Sequence, residues 1–471
     1  MPTVTSEPAV AAPFLAREDV RRILMLAVPA MLAFLTQTAV NIVDTVFFGY
    51  LPEPDRSDGQ SVLSNSLILL WAVGGFFSAI SVGTQAMVAR RTGAGHPLEA
   101  GAVLKNAVVL ASVASLFASI AGYFFISSAF ALLMPDNPNS AALGTAYTQW
   151  RFLGVVSMVA TAAYKAYFDG TGRTYIHFVA AVVMNVVNLV LCWGLIFGNF
   201  GMPKMGVEGA GVAGMASSWV GFLVAAAFSF SKADRVERAP YSGKLSGSTM
   251  RELARISVPS GIATAVIMSG FLLFRRIVEG LDSADLAHGG TESIYGAATT
   301  IIIQVLSITF FSCMAFGVAT ATLVSQEMGA ARPDRAERIA WASVKLGAMA
   351  FGTLGLLEIA FPAQVIQVFN HSPGVIAAAI PSLRLMGACG PIIATGMILT
   401  QALFGAGNTR FVMVVELVLH LGWLVPGAYF FGVVLGLGLI GVWISAAVYV
   451  TLLTTAMVFK FRQGTWKSIK I

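Results

Sequence analysis

Residues 107–134 read AVVLASVASLFASIAGYFFISSAFALLM, 28 positions without a charged side chain. A helix needs about 18 or more such residues to cross a hydrocarbon layer of roughly 30 Å, so this stretch is long enough to span a membrane. Residues 178–200, FVAAVVMNVVNLVLCWGLIFGNF, form a second run of the same kind. The pattern is general, because 57% of the 471 residues are hydrophobic and only 11% are charged, against about 25% charged in soluble domains. One water-soluble core cannot hide that much apolar surface. The expected class is an all-α polytopic membrane protein.

Residues 1–19 are polar and mixed, with Arg17, Glu18 and Asp19 before the first apolar run, and no small-residue cleavage site follows a short apolar core. The first span is therefore expected to stay and to act as the targeting signal. The net charge of +6 does not point to nucleic acid, since the basic residues sit singly in short loops beside apolar runs. Cys192, Cys313 and Cys389 all lie inside apolar runs without metal-ligand spacing and read as small hydrophobes.

Polar and Gly/Pro-rich breaks place twelve spans near 22–50, 61–90, 102–134, 141–168, 175–198, 207–231, 251–280, 293–326, 338–369, 376–404, 410–434 and 437–461. The even-numbered connections carry Arg90, Arg91, Lys105, Arg173, Lys232, Arg235, Arg332, Arg335 and Arg410, whereas the odd-numbered ones carry Glu53, Asp55, Asp58, Asp282, Asp285 and Glu292. The positive-inside effect then sets the even connections and both termini in the cytoplasm, in a multi-pass protein of the bacterial inner membrane. The expected organisation is a cytoplasmic tail over 1–21, a six-helix lobe over 22–231, a cytoplasmic linker over 232–250, a second lobe over 251–461 and a cytoplasmic tail over 462–471.

The two halves repeat. GTQAMVARRTGAGHP at 83–97 matches ATATLVSQEMGAARP at 319–333, an offset of 236. Val28-Pro29 matches Val258-Pro259 and Gly211-Val212 matches Gly441-Val442 at offset 230, while the turn GTGRT at 170–174 matches GAGNT at 405–409 at offset 235. Small residues recur in any spanning helix, but four landmarks in the same order at nearly constant offset require a duplication. Each half crosses six times, so the lobes share one orientation about an axis along the membrane normal, an arrangement suited to alternating access.

These residues resemble a known family. Val28-Pro29 through Gln37 to Val43-Asp44-Thr45 and Gly49, the doubled segments around 82–95 and 318–330, and the turns at 170–174 and 405–409 are similar to motifs of the multidrug and toxic compound extrusion (MATE) family. The resemblance covers residues 22–460. It implies a V-shaped pair of six-helix lobes that exports cationic or amphipathic compounds in exchange for H⁺ or Na⁺, with the first-span acid of the family at Asp44. One branch of the family carries a second acid in span five, four residues after an Asn; the matching positions are Asn188 and Cys192, so that acid is missing. The positions near Ile267 and Ile393, where another branch has acids in spans seven and ten, are apolar.

Read residue by residue, Gln37, Asn41 and Asp44 are spaced i, i+4, i+7 and share a helix face with Phe48. An ionised Asp inside a span costs roughly 2.5–3.5 kcal/mol, and intramembrane acids mark ion pathways by default. Asp44 is the expected cation-coupling residue, the alternative being a structural Asp satisfied by Asn41, Gln37 or Asn188. Asn185 and Asn188 on span five either complete this first-lobe pocket or only bond between helices. A sodium site would want several oxygen ligands, and among these residues only Asp44 offers a formal negative charge, which favours protons. In the second lobe Glu416 and His420, four residues apart, form either a second proton or substrate site or a satisfied pair, with Gln304 and Gln401 as further candidates. Lys165 and Asp169 are expected to be structural, Glu358 to lie near the outer surface, and Arg151 and Arg384 to snorkel to the outer interface.

No H-E-x-x-H, G-x-S-x-G, P-loop or paired-acid motif is present, so no residue is assigned a catalytic or metal-binding role and an enzyme is not expected. Nor is an organic cofactor; H⁺ or Na⁺ acts as coupling ion. A flippase of lipid-linked substrates is the rival function on the same superfamily fold, but it would need a strongly cationic cavity. The expected partners are small-molecule substrates, the coupling cation and the lipid bilayer, with the protein a monomer. The 19 Met and 32 Phe suit adaptable apolar ligand surfaces.

Overall fold

The computed structural model describes residues 16–52, 55–134, 137–241, 244–287 and 294–471. Side chains at some helical positions, Asn41 and Asp44 among them, also lie outside the described residues. Twelve spanning segments follow one another, and no strand occurs among the described residues. The first lobe has α1 (Arg17–Gly49), α2 (Asp55–Leu70, a π-helical turn Trp71–Gly75, Phe76–Ser78 and Ile80–Gly93), α3 (Pro97–Leu133), α4 (Pro138–Leu153 continuing as Val155–Gly170), α5 (Thr174–Phe197) and α6 (Gly206–Ser229). The second has α7 (Gly247–Ala287), α8 (Ile294–Gly329), α9 (Pro333–Ala360), α10 (Pro373–Ala388 and Gly390–Gly405), α11 (Thr409–Leu419 running through two π-helical turns, His420–Leu424 and Phe430–Val434) and α12 (Gly438–Arg462). Ten of these helices are long and apolar enough to cross a membrane, and the two parts of α10, bent by 54°, make an eleventh. The remaining segment, α4, is interrupted at Gly154.

Local chemistry sets many of these boundaries. Proline opens α3, α4, α9 and α10, where its missing N–H has no intrahelical partner to lose. The Asn137 side chain caps α4 by accepting from Ser140 N at 3.1 Å. The expected linker over 232–250 is more ordered than its composition implied. A short helix, Lys232–Glu237, occupies its start and α7 already begins at Gly247. Arg173 explains the anchoring, because Nη1 and Nη2 donate to Asp234 Oδ2 and Oδ1 at 2.8 and 2.7 Å, and Tyr167 Oη donates to Oδ1 at 2.8 Å. Burial alone would raise the Asp234 carboxyl, but the bonds from Arg173 and Tyr167 hold it below the usual carboxylate range.

Among the described residues four apolar clusters make up the core, and their membership shows how the lobes meet. At the end of the bundle opposite the termini, Phe48, Val62, Tyr147, Cys192 and Ile196 pack within the first lobe. Phe274, Ile302, Leu383, Leu424 and Trp443 pack within the second. At the terminal end the lobes trade residues. Ile23, Leu26 and Ala27 of α1 belong to the cluster built on α8, α9, α10 and α12, and Leu253 and Ile256 of α7 belong to the cluster of the first lobe. Each lobe's first span thus lends its terminal half to the other lobe's core.

The repeated glycines lie on that seam. A Cβ on Gly93 would fall closer than 3.0 Å to Gln326 O, and one on Gly329 closer than 3.0 Å to Arg90 O. Residues 90 and 93 stand to 326 and 329 at the repeat offset of 236, so the two close approaches are symmetry mates. Gly170 against Gln85 O and Gly405 against Ala321 O form a second such pair. Even the turn conformation is duplicated, with Gly95 at φ +76 and its repeat mate Ala331 at φ +57, a left-handed conformation kept although the glycine is gone.

Candidate functional site

Side-chain bonds close the lobes at the terminal end. Gln85 Nε2 donates to Val318 O at 2.9 Å and to Thr322 Oγ1 at 2.8 Å, Thr322 Oγ1 donates to Asp169 O at 3.1 Å, and Gln326 Nε2 donates to Gly170 O at 3.0 Å. Arg22 Nη1 pairs with Glu327 Oε1 at 2.8 Å. At mid-depth the lobes touch through Phe34 stacked on Phe311, centroids 6.0 Å apart, and through Gly261, which lets α7 pass against Phe76 of α2. Beyond that, at the opposite end, no hydrogen bond, ion pair or ring contact joins the lobes among the described residues. Among the described residues, the contacts that join the lobes therefore gather at the terminal end and at mid-depth.

In the first lobe, α1 packs along α5 and α8. Gln37 is half-buried on α1, and helical register sets positions 41 and 44 on the face that ends at Phe48, which is fully buried in the outer core of this lobe. The side chains of Asn41 and Asp44 lie outside the described residues. Asn185 and Asn188 are both buried on α5. Asn188 Nδ2 donates to Ser217 Oγ of α6 at 3.3 Å and its Oδ1 faces Cys192 Sγ at 3.9 Å, whereas Asn185 Nδ2 has no partner among the described residues. A buried amide donor without a partner calls for an explanation. Ser217 is the residue the sequence reading missed, and only the packing of α6 on α5 reveals it.

In the second lobe Glu416 and His420 meet. His420 Nδ1 lies 3.0 Å from Glu416 Oε2, and Tyr449 of α12 donates from Oη to the same oxygen at 2.9 Å. The His420 ring stands edge-on to Tyr449 at 4.5 Å. Gly270 of α7 makes room for it, since a Cβ there would lie 3.1 Å from His420 Cδ2. The π-helical turn that begins at His420 re-aims this stretch of α11, a deviation frequent at functional sites. Gln304 is exposed on α8, and Gln401 is half-buried with Nε2 3.5 Å from Met314 Sδ. Neither shares a hydrogen bond with Glu416 or His420 among the described residues.

The structure also places the remaining polar residues of the spans. Lys165 is not simply paired with Asp169, because its Nζ sits 4.4 Å over the Phe34 ring, which also meets His177 edge-on at 6.0 Å. Asp169 is buried beside the seam with Oδ1 unpartnered among the described residues. Glu358 is buried against Gly387 between α9 and α10. The Arg151 guanidinium fills the space that Gly214 of α6 leaves open, while Arg384 stays exposed with Nε 3.3 Å from Ile359 O.

The profile of the MatE family matches residues 29–194 and 259–430, one segment in each lobe. The chain is 25% identical over 460 residues to a probable multidrug resistance protein NorM of Thermotoga maritima, covering 96% of this chain and 95% of that one. It is 26% identical to the multidrug resistance protein PmpM of Pseudomonas aeruginosa, over 88% and 84% of the two chains. Its fold superposes at a TM-score of 0.84 and 20% identity on a MOP superfamily transporter of Pyrococcus furiosus, over 94% and 95% of the chains. With two duplicated lobes and a family profile matched in both halves, the chain belongs to the MatE (multidrug and toxic compound extrusion) family and is a multi-pass membrane transporter, not an enzyme.

Proposed function

We propose that this chain is a secondary antiporter of the bacterial inner membrane that exports cationic or amphipathic small organic compounds in exchange for H⁺, with Asp44 as the group that carries the proton. The observation that carries this reading is the one-sided closure of the cleft. Among the described residues, cores and hydrogen bonds cross between lobes at the terminal end and stay within each lobe at the other, as in one of the two states an alternating-access exporter must visit. The basic connections lie at the closed end, so with the termini in the cytoplasm the cleft faces outward. The lobes then divide at 22–231 and 251–461, and the protein works as a monomer because each copy holds a complete cleft.

Position 44 sits on the α1 face that runs toward the first lobe's outer core, and α1 packs along α5, the helix that carries the buried Asn185 and Asn188. A proton on this carboxyl removes the charge that would hold a cationic substrate. Proton uptake from the outer side would therefore oppose substrate binding and drive release. The multidrug resistance names of the similar proteins support the substrate class, and they give the flippase alternative no support. The test is efflux of a panel of dyes and cationic antibiotics from cells under imposed pH and Na⁺ gradients. Export that follows the pH gradient supports the proposal; export that responds to Na⁺ alone, or to neither gradient, overturns the coupling.

A further inference from the structure

On the terminal side of the seam, away from the cleft, lies a cavity of about 530 Å³ between the inner ends of the lobes. Its walls come from Arg90, Arg91 and His96 at the α2–α3 turn, from the end of α8, and from Lys467 and Lys470 beyond α12. Four Lys and Arg side chains line it; Arg91 lies 3.5 Å from Glu99 and 3.8 Å from Glu252, and Lys467 is held by two acids of α9, which leaves Arg90 and Lys470 without an ion pair among the described residues. Two guanidinium donors, Arg90 Nε and Arg91 Nη1, are buried there without a partner among the described residues. Arg90 Nη1 donates to Ile469 O, and its Nη2 lies 3.5 Å from Ala406 O. Buried charged donors left idle are unfavourable, and an anion with several acceptor oxygens would satisfy them once a side-chain shift brings them to the cavity wall.

The segment that closes the cavity is fixed rather than trailing. Trp466 is fully buried, stacked on Phe461 at 4.6 Å with Nε1 donating to Phe461 O at 2.8 Å. Lys467 Nζ reaches Asp334 Oδ1 at 2.8 Å and Glu337 Oε2 at 2.6 Å on α9. The expected tail over 462–471 is thus a strap that joins α9 and α12 to Arg90 of the other lobe. A positive-inside excess explains basic loops, but it does not explain a cavity with two buried idle guanidinium donors. Basic pockets between spanning helices at the cytoplasmic surface are of the kind that takes anionic headgroups.

We infer that this cavity binds a phosphate group carrying net negative charge, and that its occupancy favours the arrangement in which the inner seam is closed. The ligand touches both lobes and the strap, so it binds the closed arrangement better and shifts the population toward it. The same chemistry is offered by the headgroup of an anionic phospholipid of the adjoining leaflet and by free phosphate. The binding itself stands apart from the proposed transport reading; only the cytoplasmic location of the cavity rests on it.

The test uses the purified full chain in detergent, with thermal unfolding followed against short-chain phosphatidylglycerol, short-chain phosphatidylcholine and inorganic phosphate. Spin labels on the exposed Leu98 and Arg332 report the inner distance between lobes. The comparison is between wild type, the double variant Arg91→Gln/Lys470→Gln, and a control that removes the same charge elsewhere, Lys232→Gln/Arg276→Gln. Phosphatidylglycerol is expected to raise the wild-type Tm saturably and to narrow the inner distance, with phosphatidylcholine inert. The double variant should lose at least tenfold in apparent affinity while the control stays within about twofold. If inorganic phosphate competes and gives the same shift, the site stands and its ligand is soluble. Should the double variant fail to fold, Lys470→Gln alone serves with a threefold loss expected. No saturable shift with either probe, or a variant that binds like wild type, overturns the site; saturation without a change in the inner distance overturns the conformational part.

Discussion

Substituting Gly329 by Val tests whether the repeated glycines hold the inner seam shut. A Cβ at Gly329 would lie closer than 3.0 Å to Arg90 O, a main-chain atom at the end of α2 that cannot swing aside as a side chain can. Overpacking of this kind costs about 1–3 kcal/mol, and because the ends of α2 and α8 separate when the lobes part, the whole penalty falls on the closed arrangement. At 1.4 kcal/mol per factor of ten, the ratio of closed to open molecules should drop by about 5- to 150-fold. Spin labels on Leu98 and Arg332, both exposed at this end, should report a longer and broader distance. Gly93→Val, the symmetry mate, should act in the same direction. Gly280→Val is the control, since nothing lies within 4 Å of a Cβ there. A Gly329→Val distance distribution indistinguishable from that of Gly280→Val would refute the reasoning.

Further outcomes follow from the paired groups. Replacing Glu416 with Gln and His420 with Asn together should lower stability or change substrate preference while leaving gradient-driven transport measurable, because the carboxylate already holds His420 and Tyr449 at 3.0 and 2.9 Å; loss of all coupling would move the ion site to this lobe. Glu416→Ala alone, which strands His420 and Tyr449, should be the more destabilising, by about 3–5 kcal/mol in thermal or denaturant unfolding. Asp234→Ala should likewise cost about 3–5 kcal/mol by leaving the Arg173 fork without its acceptor. The Asp234 pKa is lower folded than unfolded, so its contribution is present above the unfolded carboxylate value near about 4 and disappears as pH falls through the folded value. Wild type should therefore lose stability relative to Asp234→Ala on acidification below about pH 4, and a pH-independent difference between the two contradicts that linkage.

Much of the architecture was legible because it is written twice. The matched glycines at 93 and 329, and at 170 and 405, turned out to be the points where helix ends cross, a steric demand that leaves a residue-type signature at a fixed offset. The Glu416–His420 contact was legible for a similar reason, since a spacing of four sets two side chains on one helix face. Tyr449 and Ser217 were not, because each reaches its partner from another helix, 33 and 29 residues away, and nothing local marks it. The Lys165–Phe34 contact and the exchange of Ile23 and Leu253 between lobes depend on how two bundles lean together. Periodicity within a span carries no information about that. The docked Trp466 defeated composition-based reading in another way, because a polar segment after the last span looks like a tail until its one tryptophan is seen packed on Phe461.

The most direct test of the account compares wild type with Asp44→Asn, reconstituted in vesicles at equal abundance, by measuring cationic dye movement driven by an imposed pH gradient. Asn keeps the shape and the hydrogen bonding of the side chain but cannot exchange a proton. The account predicts dye transport that follows the gradient in wild type and is abolished in the variant, with both proteins inserted and folded. Transport by Asp44→Asn at the wild-type rate under the same gradient would contradict it and leave Asp44 a structural residue.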